Sequence, residues 1–385
     1  MDFEQTKEQR ELCDAARRFA EEELGGDLVG RDHRGAVEER DWRGDWRKCA
    51  EYGILRLNIP KAYGGRGHDA LTTVLILEAL GYGCRDNGLT LGLNGQIWAV
   101  QEPILAFGSE QQKQRYLPGL CDGSLIGAHG MTEYASGSNA SGLETRAERV
   151  DGGYMLNGAK AYIGLGPACD LAVVFASTAP DRGAWGVSAF IVDSDADGFK
   201  RSPPQQKMGL RTAPMGELVF KDCFVSEDAL LGREGAGMSI FQHAMEWERS
   251  FIFASHVGSM HRQLDECVAY ARDRVVFDQP IDQYQSVSNR LAEMKLRLET
   301  SQLLLYKAAW LKSKGEPCAA EAALAKLHIS ESFVASSLDA IRIHGGRGYL
   351  SENGIERDLR DAAGGVIYSG TSDIQRAIIA QMLKN

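Results

Sequence analysis

Apolar positions along this chain recur with two different periods. Over residues 4–24, 46–52, 71–82 and 94–107 they fall three and four apart, the spacing of one helix face. Leu12, Ala16, Phe19 and Ala20 form the first such face, and Gly25-Gly26 ends it. A polar stretch over 27–45 gives no element, and a short helix is expected at 110–117, halted by Pro118. Near residue 123 the pattern shortens. The runs 144–150, 154–157, 160–163, 171–177, 187–192 and 217–225 read as strands rich in Val, Ile, Phe and Tyr. Asp151-Gly152 and Asn157-Gly158 read as tight hairpin turns between them. From Gly235 the helical period returns, over 236–274, 283–314, 319–343 and 371–384. This order predicts an α+β multidomain chain: an N-terminal helical domain (1–122), a middle antiparallel β-barrel or sandwich (123–234) and a C-terminal helical bundle (235–385). No Gly-x-Gly-x-x-Gly follows a strand, so a doubly wound dinucleotide fold is not expected.

The pattern over 238–274 also isolates one residue. Phe241, Met245, Ile252, Ser255 and Ser259 share a stripe, and Glu248 lies on it. A carboxylate on an apolar face needs a reason. Burial would raise its pKa and make it a usable general base. A carboxylate held in a structural network is the other reading, and the helix alone does not separate them.

Composition narrows the class. With 385 residues and 44% hydrophobic content the chain can bury a large core. No apolar run is long enough to cross a membrane, and the first residues have neither the basic flank nor the apolar centre of a signal peptide. Eight scattered cysteines without Cys-x-x-Cys spacing suggest reduced thiols in a cytoplasmic protein, with no metal site expected. A net charge of −10 speaks against nucleic acid as a partner.

Five strings then appear in order: Met131-Thr132-Glu133-Tyr134-Ala135-Ser136-Gly137-Ser138-Asn139; Lys207-Met208-Gly209-Leu210-Arg211; Ala271-Arg272-Asp273-Arg274 with Phe277; His344-Gly345-Gly346-Arg347-Gly348-Tyr349; and Tyr368-Ser369-Gly370-Thr371-Ser372-Asp373-Ile374-Gln375. Together with the helical–β–helical order, they resemble the acyl-CoA dehydrogenase family of FAD flavoproteins over nearly the whole chain. On residue type alone Thr132 and Ser138 suit a polar turn or a flavin edge. Arg274 suits solvent or a diphosphate, and Thr371 suits a helix cap or a phosphate. The resemblance implies FAD as cofactor, bound by Met131, Thr132, Ser138, Tyr162, Gly164, Arg342, Gly345, Gly346, Thr371 and Gln375. It implies that Arg274 and Phe277 reach the FAD of a neighbouring subunit in a homotetramer. The sequence departs from the family pattern at several places. Tyr134 stands for the usual Pro, Asn139 for Asp, Tyr162 for Trp, Arg342 for Gln, and Gly164 for a hydroxyl near flavin N5.

Many members carry the catalytic Glu where this chain has Ser369, which cannot abstract a weakly acidic C–H proton at neutral pH. Other members, isovaleryl-type enzymes among them, carry it on the first long C-terminal helix, and Glu248 matches that position. Glu246, about 200° away at helical pitch, is the rejected rival. The resemblance implies α,β-desaturation of an acyl or aminoacyl thioester, with Glu248 removing the α-hydrogen and the flavin accepting the β-hydrogen. The backbone N–H of Ser369 and a ribityl hydroxyl of FAD would hold the carbonyl. Trp247-Glu248-Arg249, Ser369, Arg342 and the Tyr162/Gly164 pair look most like biosynthetic members that oxidise a prolyl group on a carrier protein. A catabolic short- or branched-chain acyl-CoA dehydrogenase, a flavin monooxygenase and a DNA-binding flavoprotein are the alternatives. The expected electron acceptor is a flavoprotein or oxygen.

Overall fold

The computed structural model describes residues 4–36, 38 and 42–384. The remainder of the polar stretch, residues 37 and 39–41, lies outside the described residues, as do residues 1–3 and 385. The N-terminal helices are α1 (Lys7–Glu23), α2 (Leu28–Arg34), α3 (Arg43–Tyr52), α4 (Ala70–Gly83), α5 (Asn87–Gly95), α6 (Glu102–Phe107) and α7 (Glu110–Asp122). Capping sets their starts. Thr6 and Gln9 bond reciprocally at the head of α1, as Ser109 and Gln112 do at α7. Three expectations change here. The polar stretch contains α2, and Pro118 lies inside α7, where buried Tyr116, Leu117, Leu120 and Cys121 hold the helix past the missing donor. The helix expected at 94–107 begins earlier, at Asn87, and passes through a π-helical turn at Gln96–Gln101.

The middle region is one open eight-stranded sheet: β1 (Gly127–Gly130), β2 (Arg146–Val150), β3 (Gly153–Gly164), β4 (Leu171–Ser177), β5 (Val187–Asp193), β6 (Phe199–Arg201), β7 (Met215–Ser226) and β8 (Leu230–Leu231). Its order is β6-β7-β3-β2-β4-β5-β8, with β1 beside β4. Most pairings are antiparallel, but β1 and β2 each run parallel to β4, and no strand closes a barrel among the described residues. Asp151-Gly152 is the β2–β3 turn, as expected. Asn157-Gly158 is not a turn. It sits inside β3 at a bulge, where Asn157 accepts the Asp222 N–H at 2.8 Å. A side chain at Gly158 would strike Thr145, the residue before β2.

The last region holds α8 (Gly237–Phe251), α9 (Ala254–Asp273), a small hairpin of β9 (Val275–Val276) and β10 (Gln279–Pro280), then α10 (Gln285–Ser313), α11 (Ala319–His344), α12 (Gly346–Tyr349), α13 (Ile355–Gly365) and α14 (Ser372–Met382). The single helix expected over 236–274 is two helices, broken at Ile252-Phe253. The break lets both Phe251 and Phe253 be fully buried, the first against Trp98 and the second stacked on Tyr368 at 5.3 Å. Beyond it Ser255 and Ser259 turn to Asn94 and Asn87 of α5, so the stripe that carries Glu248 ends with α8. Helix α13 has no counterpart in the sequence reading.

One hydrophobic core joins the two helical regions, running from Ala16, Trp46 and Leu77 to Val257, Leu298 and Phe333. Its tightest seam is α4 against α9. A Cβ on Gly81 would lie 1.9 Å from the Ser255 carbonyl, and one on Gly258 would lie 1.9 Å from the Glu78 carbonyl. Both neighbours are backbone and cannot step aside without moving a helix. Gly258→Ala is therefore expected to lower stability by about 3 kcal/mol, read as a fall in the thermal midpoint of the FAD-loaded protein; an unchanged midpoint would contradict this packing.

Candidate active site

Glu248 sits one turn before the end of α8, a helix packed against both α11 and the π-helical turn of the N-terminal region. Its side chain is half-buried and its carboxyl end is enclosed. The Ser369 hydroxyl donates to Oε1 at 2.5 Å. Oε2 has no donor among the described residues, yet it is not sealed from access. Burial pushes the Glu248 pKa up, against the hydroxyl bond and the nearby cations Arg249 and Lys326. Other buried acids share the upward push but serve as braces. Glu78 takes bonds from Gln302 and Tyr306, Glu102 from Asn58, and Asp361 from the Leu210 N–H and Asn87. Glu246 is held by Lys312 at 2.5 Å and by Cys318, and despite partial burial its pKa falls. That geometry commits Glu246 to an ion pair.

Ser369 follows α13 in a loop with left-handed backbone, φ 56° there and 85° at Gly370. Gln375, fully buried on α14, donates to the carbonyls of Gly370 (3.0 Å) and Ser369 (3.4 Å) and leaves its own Oε1 without a partner. Thr371 caps α14 by accepting the Ile374 N–H. Among the described residues no acceptor takes the backbone N–H of Ser369. Glu248, Ser369, Thr371 and Gln375 thus form one cluster.

A second cluster lies where β1 runs into the 131–139 loop beside β3. The Ala161 N–H donates to the Thr132 carbonyl at 2.8 Å. Beneath it Lys160, fully buried, reaches Glu133 at 2.6 Å and the Met131 carbonyl at 3.2 Å, and Glu133 also accepts from Thr145 and the Glu144 N–H. This buried pair pins the loop to the sheet, with Ser138 on its exposed crest. Tyr162 has a left-handed φ of 58°, and its exposed ring meets Tyr134 edge-on at 5.5 Å. Gly164 is exposed two residues on. The Leu165 N–H binds the Pro214 carbonyl, and Leu210 packs by Gly364, which links this cluster to the Ser369 loop.

Arg274, Phe277, Arg342, Gly345 and Gly346 form a third, exposed group where α9 and α11 end side by side, with Tyr270 stacked on His344 at 4.3 Å. Phe277 is 89% exposed. From Lys326, in reach of Glu248, α11 rises about 28 Å to Gly345. Within one protomer the structure does not bring this group to the base.

The residues fit FAD. A Cβ on Gly137, Gly164, Gly345 or Gly346 would meet nothing within 4 Å, so the backbone there is open to close approach. The orphaned Gln375 Oε1 and the N-terminus of α14 supply an acceptor and positive potential. Sequence reading missed the Ser369 hydroxyl as the partner of Glu248, the Glu133–Lys160 pair and the lysine at 326. For the last, the one available signal was a cation inside the small apolar run Ala322–Leu327.

Family models for the acyl-CoA dehydrogenase N-terminal, middle and C-terminal domains match residues 6–124, 128–223 and 235–384. The chain is 46% identical over 340 residues to an L-prolyl-[peptidyl-carrier protein] dehydrogenase of Pseudomonas fluorescens, a match covering 88% of this chain and 90% of that one. Its structure is similar to that of the prolyl acyl carrier protein oxidase AnaB (TM-score 0.96, 43% identity, 99% of this chain and 100% of that one). It is also similar to PigA solved with FAD and proline (TM-score 0.95, 38% identity, 100% and 99%). Matched by all three domain models and by relatives of this identity along its length, the chain belongs to the acyl-CoA dehydrogenase family and is an FAD-dependent dehydrogenase.

Proposed function

We propose that this enzyme desaturates an aminoacyl group, with prolyl the first candidate, held as a thioester on a carrier protein in a biosynthetic pathway. The observation that carries the chemistry is the enclosed Glu248 carboxylate, with one oxygen fixed by Ser369 and the other left available. The names of the similar proteins support the prolyl-carrier substrate; a CoA ester of an acyl group is the alternative tether. Met131, Thr132, Ser138, Tyr162 and Gly164 would hold FAD on the sheet side, and Thr371 and Gln375 on the helical side. Arg274, Phe277, Arg342, Gly345 and Gly346, remote from the base of their own protomer, would serve the FAD of a neighbouring copy. That arrangement requires at least a dimer and is the basis for proposing a homotetramer. FAD supplies the hydride acceptor, and we propose that it is reoxidised by an electron-transferring flavoprotein or by dioxygen.

The chain's own residues perform the proton chemistry. Ser369 turns the carboxylate so that Oε2 is free to take the α-proton. The Ser369 N–H and its left-handed backbone suit a donor to the thioester carbonyl, where negative charge develops as the proton leaves. Removal of bulk water from the carboxyl end strengthens both interactions. Because burial raises the Glu248 pKa, its basic form appears at higher pH than for an exposed glutamate. The rate of proton abstraction therefore climbs as pH rises through that value.

Three outcomes are expected. Glu248→Gln keeps the yellow FAD but slows anaerobic bleaching by substrate about 10³-fold; normal bleaching would remove Glu248 as the base. Ser369→Ala loses a bond that favours the carboxylate, so the acid limb of the kcat/KM profile moves up by about half to one pH unit. A limb that stays in place would deny the hydroxyl this role. Offered a panel of prolyl- and other aminoacyl-carrier proteins beside the matching CoA esters, the enzyme removes hydrogen from prolyl-carrier protein, seen as a loss of about 2 or 4 Da by intact mass. Turnover of the CoA esters alone would assign the alternative tether.

A further inference from the structure

Helix α11 carries a lysine with no part in the chemistry above. Lys326 is fully buried, and its Nζ donates to the Gly365 carbonyl at 2.9 Å. Its ammonium stands 5.9 Å from the centre of the Phe253 ring. Gly365 is the last residue of α13, and its carbonyl is among those a helix end leaves unbonded. A cation there also meets the negative end of the helix dipole. The chain then runs four residues to Ser369, and Gln375 grips the far side through the Gly370 carbonyl. The loop that presents the Ser369 hydroxyl is thus clamped at both ends by buried side chains, one from α11 and one from α14.

The clamp on the α11 side is costly to build from lysine. An ammonium loses its hydration when buried, and methionine would fill the same space. Burial draws the Lys326 pKa down to about 8, so the group is still charged at neutral pH. Glu248 and Arg249 lie within its electrostatic reach. The other groups around them are accounted for. Glu331 of α11 pairs with Arg376 of α14 at 3.2 Å, and Lys312 of α10 is committed to Glu246. His256 of α9 is neutral, its pKa pushed by burial to about 4. Asp361 of α13 faces the Tyr368 phenol, which burial also keeps neutral.

Resting on the reading of Glu248 as the base, we infer that Lys326 is a positioning residue for proton abstraction: through Gly365 it holds the Ser369 loop in place, and its positive charge, beside that of Arg249, favours the ionised form of Glu248. Removing the charge lets Glu248 take its proton at higher pH. The loss of rate then falls on the acid side and fades toward pH 9, where Lys326 itself is neutral.

The test is an infrared difference titration of the FAD-loaded protein, following the protonated-carboxyl band that Glu248→Gln lacks. Lys326→Met is expected to raise the midpoint of that band by at least about half a pH unit, a threefold change in the protonation equilibrium. Lys326→Gln, which keeps a donor for Gly365 without the charge, should show the same shift, and Lys326→Arg should restore the original midpoint. With prolyl-carrier protein, kcat/KM of the Gln variant should fall at least threefold on the acid limb of its pH profile and by less than half that factor above it. A midpoint unmoved in the Gln variant overturns the proposal even where Glu248→Gln is inactive. Normal turnover by Glu248→Gln would instead overturn the assignment of the base.

Discussion

The site turns on a contact between two segments far apart in sequence, the end of α8 and the loop that follows α13. A carboxylate enclosed at such a junction is costly in either protonation state unless its partners are fixed beforehand. Here Ser369 gives one hydrogen bond, and Arg249 and Lys326 give positive potential. Much of the nearby architecture serves that junction. The kink at Ile252-Phe253 drops Phe253 under Tyr368, and the left-handed turn at Ser369-Gly370 aims the hydroxyl back at α8.

Having a hydroxyl at 369 has an electrostatic consequence. Two carboxylates at hydrogen-bond distance cannot both ionise near neutral pH. With the acid on α8, a neutral donor opposite it lets the carboxylate be charged and oriented at once. The same exchange leaves the backbone N–H of residue 369 without a partner among the described residues. In the proposed mechanism the hydroxyl and the amide of one residue then serve two different reacting groups.

The sequence was legible where a local pattern had one physical solution. The helical–β–helical order followed from the change of period, the Asp151-Gly152 turn from its dipeptide, and the inward-facing Glu248 from its place among Phe241 and Met245. It was misleading where tertiary contacts decide. Asn157-Gly158 has turn chemistry, yet the glycine answers the close approach of Thr145 and the asparagine side chain caps a bulge. Pro118 has the look of a stop signal, yet four buried neighbours carry α7 past it. Lys326 and Lys160 were invisible as buried, partnered groups, because a lysine in a chain reads as a solvated charge until its acceptors, Gly365 in one case and Glu133 in the other, are brought to it by folding.

The glycine seam between α4 and α9 bears on how the molecule is made. Since α4 completes its burial only against helices encoded some 180 residues later, the first third of the nascent polypeptide leaves the ribosome with its apolar faces uncovered. The sheet, whose own inner layer is contributed by strands close together in sequence, can form while that third waits. Residues 70–83 are thus translated well before the helix that completes their burial.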